Sequence, residues 1–199
     1  MSASSAEPEP EPEPEPEVGL FVRNGVQMIV YDLDATLWET EMYLIDGPPF
    51  SETAEPHVLL DRSKTKVEIM TGALESLQAF QTDERWRGVK FGIASRTDYP
   101  KWARECMSRL KVPIDDDDAT SAVTLRSLVH FEQIFDDDKR NHFRALHNQS
   151  GVPFANMVFF DNEHRNIVSV SKLGVKCVFC PDGMTRAVWN TFVQSLQSE

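Results

Sequence analysis

Four short, almost wholly apolar runs, set between stretches of helical periodicity, constrain this chain more than any other feature of its sequence. They occupy residues 26–31, 89–94, 157–160 and 175–179, and three of them lead straight into a polar side chain: Asp32, Ser95 and Asp161. A continuous apolar run lacks the in–out alternation of a half-solvated strand and suits one buried on both faces of a parallel sheet. Helical patterns at 71–81, 100–110, 139–148, 163–173 and 184–197 fall between or after the runs, and a further strand is expected near 129–135. The alternation predicts an α/β fold: a doubly wound parallel sheet with helices on both faces.

Two regions break the pattern. Residues 38–66 lack helical periodicity and contain Gly47-Pro48-Pro49 and the short candidate strand His57-Val58-Leu59-Leu60. They read as a long loop with a β-hairpin, a small flap inserted after the first strand, and loops of such length in compact domains are usually functional. Residues 112–127 carry Asp115-Asp116-Asp117-Asp118 and read as a solvated insertion. The four carboxylates lack the alternating ligands and turn glycine of a calcium loop.

The amino terminus differs from both. Residues 7–17 alternate Glu and Pro, and their six glutamates supply half of the net charge of −12. Proline at every second position forbids a helix and nothing there can be buried, so residues 1–17 are expected to be an extended, disordered arm. Residues 18–199 are then expected to form one domain. The acidic balance argues against nucleic acid or an anionic membrane as partner. No basic, apolar leader opens the chain and no run reaches the length of a membrane span, which points to a cytoplasmic, monomeric protein.

Three cysteines, Cys106, Cys177 and Cys180, do not suggest a disulfide framework. Cys177 and Cys180 sit three apart on a predicted strand, hence on opposite faces, and read as buried structural residues rather than a metal pair. His142 and His147, five apart on a predicted helix, fall on different parts of its surface, and His164 reads as exposed. Trp38 suits either the lining of a pocket or the core beneath the flap.

In an open parallel sheet, ligands bind in the crevice beyond the carboxyl ends of the strands, where Asp32, Ser95 and Asp161 converge. The first strand end is elaborated as Asp32-Leu33-Asp34-Ala35-Thr36-Leu37-Trp38. Two acids two residues apart can place one carboxylate to attack and a second to manage protons, while the Thr36 hydroxyl holds a phosphate or fixes the loop.

Residues 31–38 resemble motif one of the haloacid dehalogenase (HAD) superfamily. Ile93-Ala94-Ser95-Arg96-Thr97 resembles its second motif, and Asp161-Asn162-Glu163 with Arg165-Asn166-Ile167 its fourth. Lys139-Arg140-Asn141-His142-Phe143, Gly151-Val152-Pro153-Phe154 and the run into Asp161 narrow the likeness to the superfamily's magnesium-dependent phosphatases. The resemblance implies that Asp32 is the nucleophile, forming an aspartyl-phosphate, and that Asp34 is the general acid/base. It also implies that Ser95 and Arg96 bind phosphate and substrate, with Leu33 and Thr36 among the phosphate-contacting positions. Lys139 matches the motif-three lysine, catalytic and phosphate-binding. Asp32, the backbone carbonyl of Asp34 and Asp161 match the Mg²⁺ ligands. Asn162 stands where the family usually has a second aspartate.

Electrostatics ask for the same partners. Each like-charge pair at ~4 Å costs on the order of 4 kcal/mol at an effective dielectric of 20, so a phosphate dianion needs a cation to approach these acids. A hard dication with oxygen ligands, plus a lysine, suffices. The expected function is hydrolysis of a phosphomonoester, either a small molecule such as a phosphosugar or a phosphoprotein bearing phosphotyrosine or a glycated side chain. The alternatives are a HAD phosphotransferase and a non-catalytic acidic interaction protein on the same scaffold.

Overall fold

The apolar runs become the strands of one sheet. In the computed structural model, which describes residues 18–114 and 121–197, the chain begins with a short helix α1 (Leu20–Arg23) and then β1 (Met28–Tyr31). The flap carries β2 (Ser51–Glu52), β3 (Val58–Leu60) and β4 (Lys66–Glu68) and leads into α2 (Thr71–Thr82) and β5 (Lys90–Ser95). Next come α3 (Pro100–Arg109), β6 (Lys111–Pro113), β7 (Ala122–Thr124), α4 (Leu125–Leu128) and β8 (Phe131–Ile134). The last third is α5 (Lys139–Ser150), β9 (Met157–Asp161), α6 (His164–Ser171), β10 (Lys176–Phe179) and α7 (Arg186–Gln197).

The main sheet has five strands in the order β10-β9-β1-β5-β8, all neighbours parallel. The expected doubly wound architecture is the one observed. Strand periodicity divides the core between two faces. Ile29, Tyr31, Phe91, Ile93, Val158 and Phe160 point to one side, under α2, α3 and α7; Met28, Val30, Ala94, Met157 and Phe159 point to the other, under α5 and α6. Each fully buried aromatic or branched side chain contributes about 1.5–3 kcal/mol. Cys177 joins the second face and Cys180 the first, on opposite sides as the spacing requires, although Cys177 is only half-buried.

The expected flap is present, and its hairpin β3–β4 is extended by a third short strand. The whole is a three-stranded antiparallel sheet, β2-β3-β4, that runs on to Glu68. Its strands of two or three residues are too short to leave a periodicity in the sequence. The insertion at 112–127 needs correction. β6 and β7 form an antiparallel ribbon, and Val112 and Leu125 are fully buried in the main core, so the segment is anchored at both ends. Asp115–Asp118 and the arm of residues 1–17 lie outside the described residues. Among the described residues, no helix is long and apolar enough to cross a membrane.

β1 lies between β5, the next strand of the sheet in the chain, and β9, which joins its other side only after β8, so the winding direction reverses beside β1. That reversal opens a crevice at the carboxyl end of β1.

Candidate active site

Register brings the acids together. β1 and β9 pair with Tyr31 opposite Phe160, and the Asp32 N–H extends the ladder to the Phe160 carbonyl at 3.0 Å, so Asp32 and Asp161 leave the sheet side by side. Past Asp32 the chain turns sharply: the Leu33 carbonyl accepts from the N–H groups of Thr36, Leu37 and Trp38, and Ala35 takes a left-handed φ of 51°. The turn returns Asp34 to the rim. Asp32, Asp34 and Asp161 are each at least nine-tenths buried.

Lys139 is the cation among them. Asp138 caps α5 by accepting the Arg140 N–H, which makes Lys139 the first helical residue and directs it under the rim. Its ammonium donates to Asp32 Oδ1 at 2.5 Å and to the Ala94 carbonyl, and lies 3.4 Å from Asp161 Oδ2. The choice of Lys139 over Arg140 agrees with this geometry, since Arg140 pairs with Asp138 at the surface.

One lysine does not balance three carboxylates. Burial pushes the Asp34 carboxyl up to about 7; the nearby Asp32 charge adds to the rise, and hydrogen bonds from Trp38 and Met42 oppose it. Burial and then Asp32 also hold Asp161 upward, against Lys139, the Glu163 N–H and the Asn166 amide. Asn166 donates to both oxygens of Asp161, at 3.2 and 3.0 Å, and fixes its orientation. The donor set is entirely oxygen, under-compensated in charge and rigidly held, which fits a hard divalent cation such as Mg²⁺.

Ser95 and Arg96 complete the cleft, which has a volume of about 340 Å³. The Ser95 hydroxyl oxygen accepts from the Thr97 N–H, which leaves its own proton to donate. Arg96 Nη2 reaches Asp136 at 3.4 Å, while its buried Nε has no hydrogen-bond partner. An orphaned guanidinium donor at this wall calls for an anionic oxygen. Glu41 and Tyr43, from the flap, stand at the rim.

Two expected phosphate contacts are placed elsewhere. Thr36 is fully buried: its hydroxyl donates to Asn162 Oδ1 at 3.2 Å and accepts the Asn162 N–H at 3.0 Å, so it ties the first loop to the fourth. Of the two roles open to it, fixing the loop is the one it fills. The Leu33 side chain belongs to the core, which leaves only its backbone for any ligand. Trp38 is likewise wholly buried in the core and does not line the cleft.

His142 is not on the helix surface. Its ring stacks on Phe135 with centroids 4.0 Å apart, and Nε2 lies 3.1 Å from the Ser95 carbonyl and 2.9 Å from that of Phe135. Burial, with the Lys139 charge, holds its pKa below the usual value against the pull of these carbonyls. The side chain clamps the end of β5 to α5. Asn166 and His142 do sit inside the quoted motif strings, but helical spacing alone shows no reason to single them out.

A family profile described as acid phosphatase matches residues 25–199. The chain belongs to the acid phosphatase family. Human magnesium-dependent phosphatase 1 is 34% identical to it over 158 residues, covering 79% of this chain and 80% of that protein. A HAD-like hydrolase superfamily protein of Schizosaccharomyces pombe is 34% identical over 154 residues, covering 74% and 81%. The family expected from the motifs is therefore the one found. In fold, this acid phosphatase family member is similar to a haloacid dehalogenase-like hydrolase from Xanthomonas campestris, with TM-score 0.56 at 12% identity over 87% of this chain and 96% of that one. It also resembles 3-deoxy-D-manno-octulosonate 8-phosphate phosphatase from Moraxella catarrhalis, with TM-score 0.51 at 13% identity over 90% and 91%.

Proposed function

We propose that this protein is a Mg²⁺-dependent phosphomonoesterase that works through an aspartyl-phosphate on Asp32. The observation that carries the reading is the convergence of Asp32, Asp34, Asp161 and Lys139 beneath a cleft walled by Ser95 and Arg96. The name of the 34%-identical human relative supports a magnesium-dependent phosphatase, and that of the Schizosaccharomyces pombe relative supports a HAD-like hydrolase.

Asp32, Asp161 and the Asp34 backbone carbonyl would hold the metal. When bound, Mg²⁺ neutralises the carboxylates and the phosphoryl oxygens that must approach them. The protein's own groups do the rest. Lys139 holds Asp32 Oδ1, which leaves Oδ2 to attack phosphorus. Ser95 and Arg96 donate to the equatorial oxygens and keep the ester in line. Asp34 protonates the departing oxygen and then takes a proton from the water that hydrolyses the phosphoenzyme.

The test is hydrolysis of p-nitrophenyl phosphate with and without Mg²⁺, by wild type and Asp32→Asn. Metal-dependent turnover is expected in wild type alone, and an acid quench should trap ³²P on Asp32 as an alkali-labile, hydroxylamine-sensitive acyl phosphate. Turnover surviving in Asp32→Asn overturns the covalent route, and metal-dependent turnover absent from wild type overturns the enzyme. The substrates carried forward are phosphotyrosyl peptides and phosphosugars, and kcat/KM measured on both side by side separates them.

A further inference from the structure

We propose that Trp38 is the positioning residue for the proton-transferring carboxyl of Asp34, and that it divides the labour between that carboxyl's two oxygens. Oδ1 is the anchored oxygen and Oδ2 the one that carries the proton. The inference rests on the reading of Asp34 as general acid/base given above.

The indole Nε1 donates to Asp34 Oδ1 at 2.8 Å, inside the usual N–H···O distance, while the Met42 N–H reaches Oδ2 at 3.2 Å, at its long limit. Protonation weakens a carboxyl oxygen as an acceptor, so the proton belongs on the oxygen with the weaker donor. Trp38 cannot adjust instead. Its side chain is fully buried, its N–H bonds to the Leu33 carbonyl at 3.2 Å, and bridges to Asp34 and Ile69 fix its backbone. Nε1–H is the only polar atom of the indole, and leaving it buried without an acceptor costs about 1–3 kcal/mol. Ring and carboxyl therefore lock one another. The donor to Oδ2, Met42, opens the 3₁₀ turn Met42–Leu44 that also carries Tyr43 to the cleft rim. The base of the flap thus fixes the acid and shapes the mouth of the site together.

In the first half-reaction the Oδ2 proton passes to the bridging ester oxygen as its bond to phosphorus breaks and the bond from Asp32 to phosphorus forms, and the alcohol leaves neutral. In the second, water gives a proton to Oδ2 as its oxygen attacks phosphorus and the bond to Asp32 breaks. A carboxyl free to rotate would present either oxygen, or neither, to the leaving group.

Leaving groups discriminate this role from mere packing. p-Nitrophenolate departs readily without a proton; the glycerol alkoxide does not. The full-length Mg²⁺-loaded protein is compared on p-nitrophenyl phosphate and glycerol 2-phosphate as wild type, Trp38→Phe, Asp34→Asn, and a chain with 3-benzothienylalanine at position 38. That isostere keeps the ring volume and removes only the N–H. For both Trp38 changes, kcat on glycerol 2-phosphate is expected to fall at least about tenfold further than on p-nitrophenyl phosphate, part of the range that general-acid catalysis spans, with KM little moved. If Trp38→Phe fails to fold, the isostere decides. An equal fall on both substrates, or none, overturns the inference. Asp34→Asn separates the levels: if it discriminates between substrates while the isostere does not, the positioning role alone fails. If it does not discriminate either, the acid/base reading fails with it.

Discussion

Two regions of this molecule bury aspartates, and they treat them in opposite ways. In the flap, Asp61 is fully buried and makes no ion pair among the described residues. Its Oδ2 accepts from the Asp46 N–H at 2.6 Å, and its Oδ1 from the Ser63 N–H, the Ser63 hydroxyl and the Thr65 N–H, each at 2.8 Å. Burial pushes its carboxyl up, but these donors outweigh it and hold Asp61 below the usual carboxylate range. At the strand-end rim, Asp34 and Asp161 have donors too, yet burial and the charge of Asp32 win and both are held high. Burial alone therefore does not mark a functional acid. A carboxylate supplied with enough N–H and O–H donors organises a turn; carboxylates crowded together and under-supplied wait for a ligand.

The contrast can be broken in several places. Its largest expected effect is at Asp161: Asp161→Asn should lower kcat/KM by about 10³-fold, roughly 4 kcal/mol of transition-state stabilisation, and raise the Mg²⁺ needed for half-maximal activity. Unchanged metal dependence in steady-state kinetics would remove Asp161 from the ligand set.

The pH dependence of stability comes next. Asp34, raised to about 7, binds a proton more tightly in the folded than in the unfolded chain, so its folded-state advantage is complete near pH 4 and is withdrawn as pH rises towards 7. For that single group the loss is at most on the order of 4 kcal/mol. Urea unfolding of wild type and Asp34→Asn in EDTA, from pH 4 to 7, should show the two most alike at pH 4 and the uncharged variant gaining on wild type as pH rises, and saturating Mg²⁺ should abolish the trend. A flat difference would mean the rim is already balanced. Asp61 has the opposite sign: its stabilisation is present above the ordinary carboxylate pKa and is lost on acidification.

Asp61→Ala leaves buried donors without an acceptor and should destabilise by about 2–4 kcal/mol. Amide exchange should quicken first at residues 46, 63 and 65, while the main sheet stays protected. Ala35→Gly relieves a left-handed residue and should change stability by less than about 1 kcal/mol, in the stabilising direction by thermal melting. Removing residues 1–17 should leave kcat/KM on p-nitrophenyl phosphate unchanged. Gly19 donates to the Arg87 carbonyl beside the amino end of β5, across the sheet from the cleft.

The rim was legible because a polar residue after an apolar run can be seen without a structure. Asp32, Ser95 and Asp161 announce themselves that way, and the buried strands β1, β5 and β9 follow from the same pattern. The run at 175–179, which also reads as buried on both faces, is instead the half-exposed edge strand β10, because no strand covers its outer side. Asp61 does not: within Leu60-Asp61-Arg62-Ser63 it reads as any turn aspartate, because its donors are backbone groups brought together by the flap's fold. Trp38 was legible only as two possibilities, since an indole's hydrogen-bond partner depends on which way the turn after Asp32 bends. Thr36 offered two roles for the same reason, and the loop it reaches lies far along the chain. Helix ends moved by one or two residues where caps decided them, as at Gly151, whose φ of 73° stops α5 just after Ser150.

The strand order has a kinetic corollary. β1 leaves the ribosome early, yet β9, which covers its second edge, follows far behind; the tie between Thr36 and Asn162 spans 126 residues. Closing so large a loop must precede its reward, so the central strand stays half-bare for most of synthesis and the pairing of β1 with β9 sets the pace of maturation.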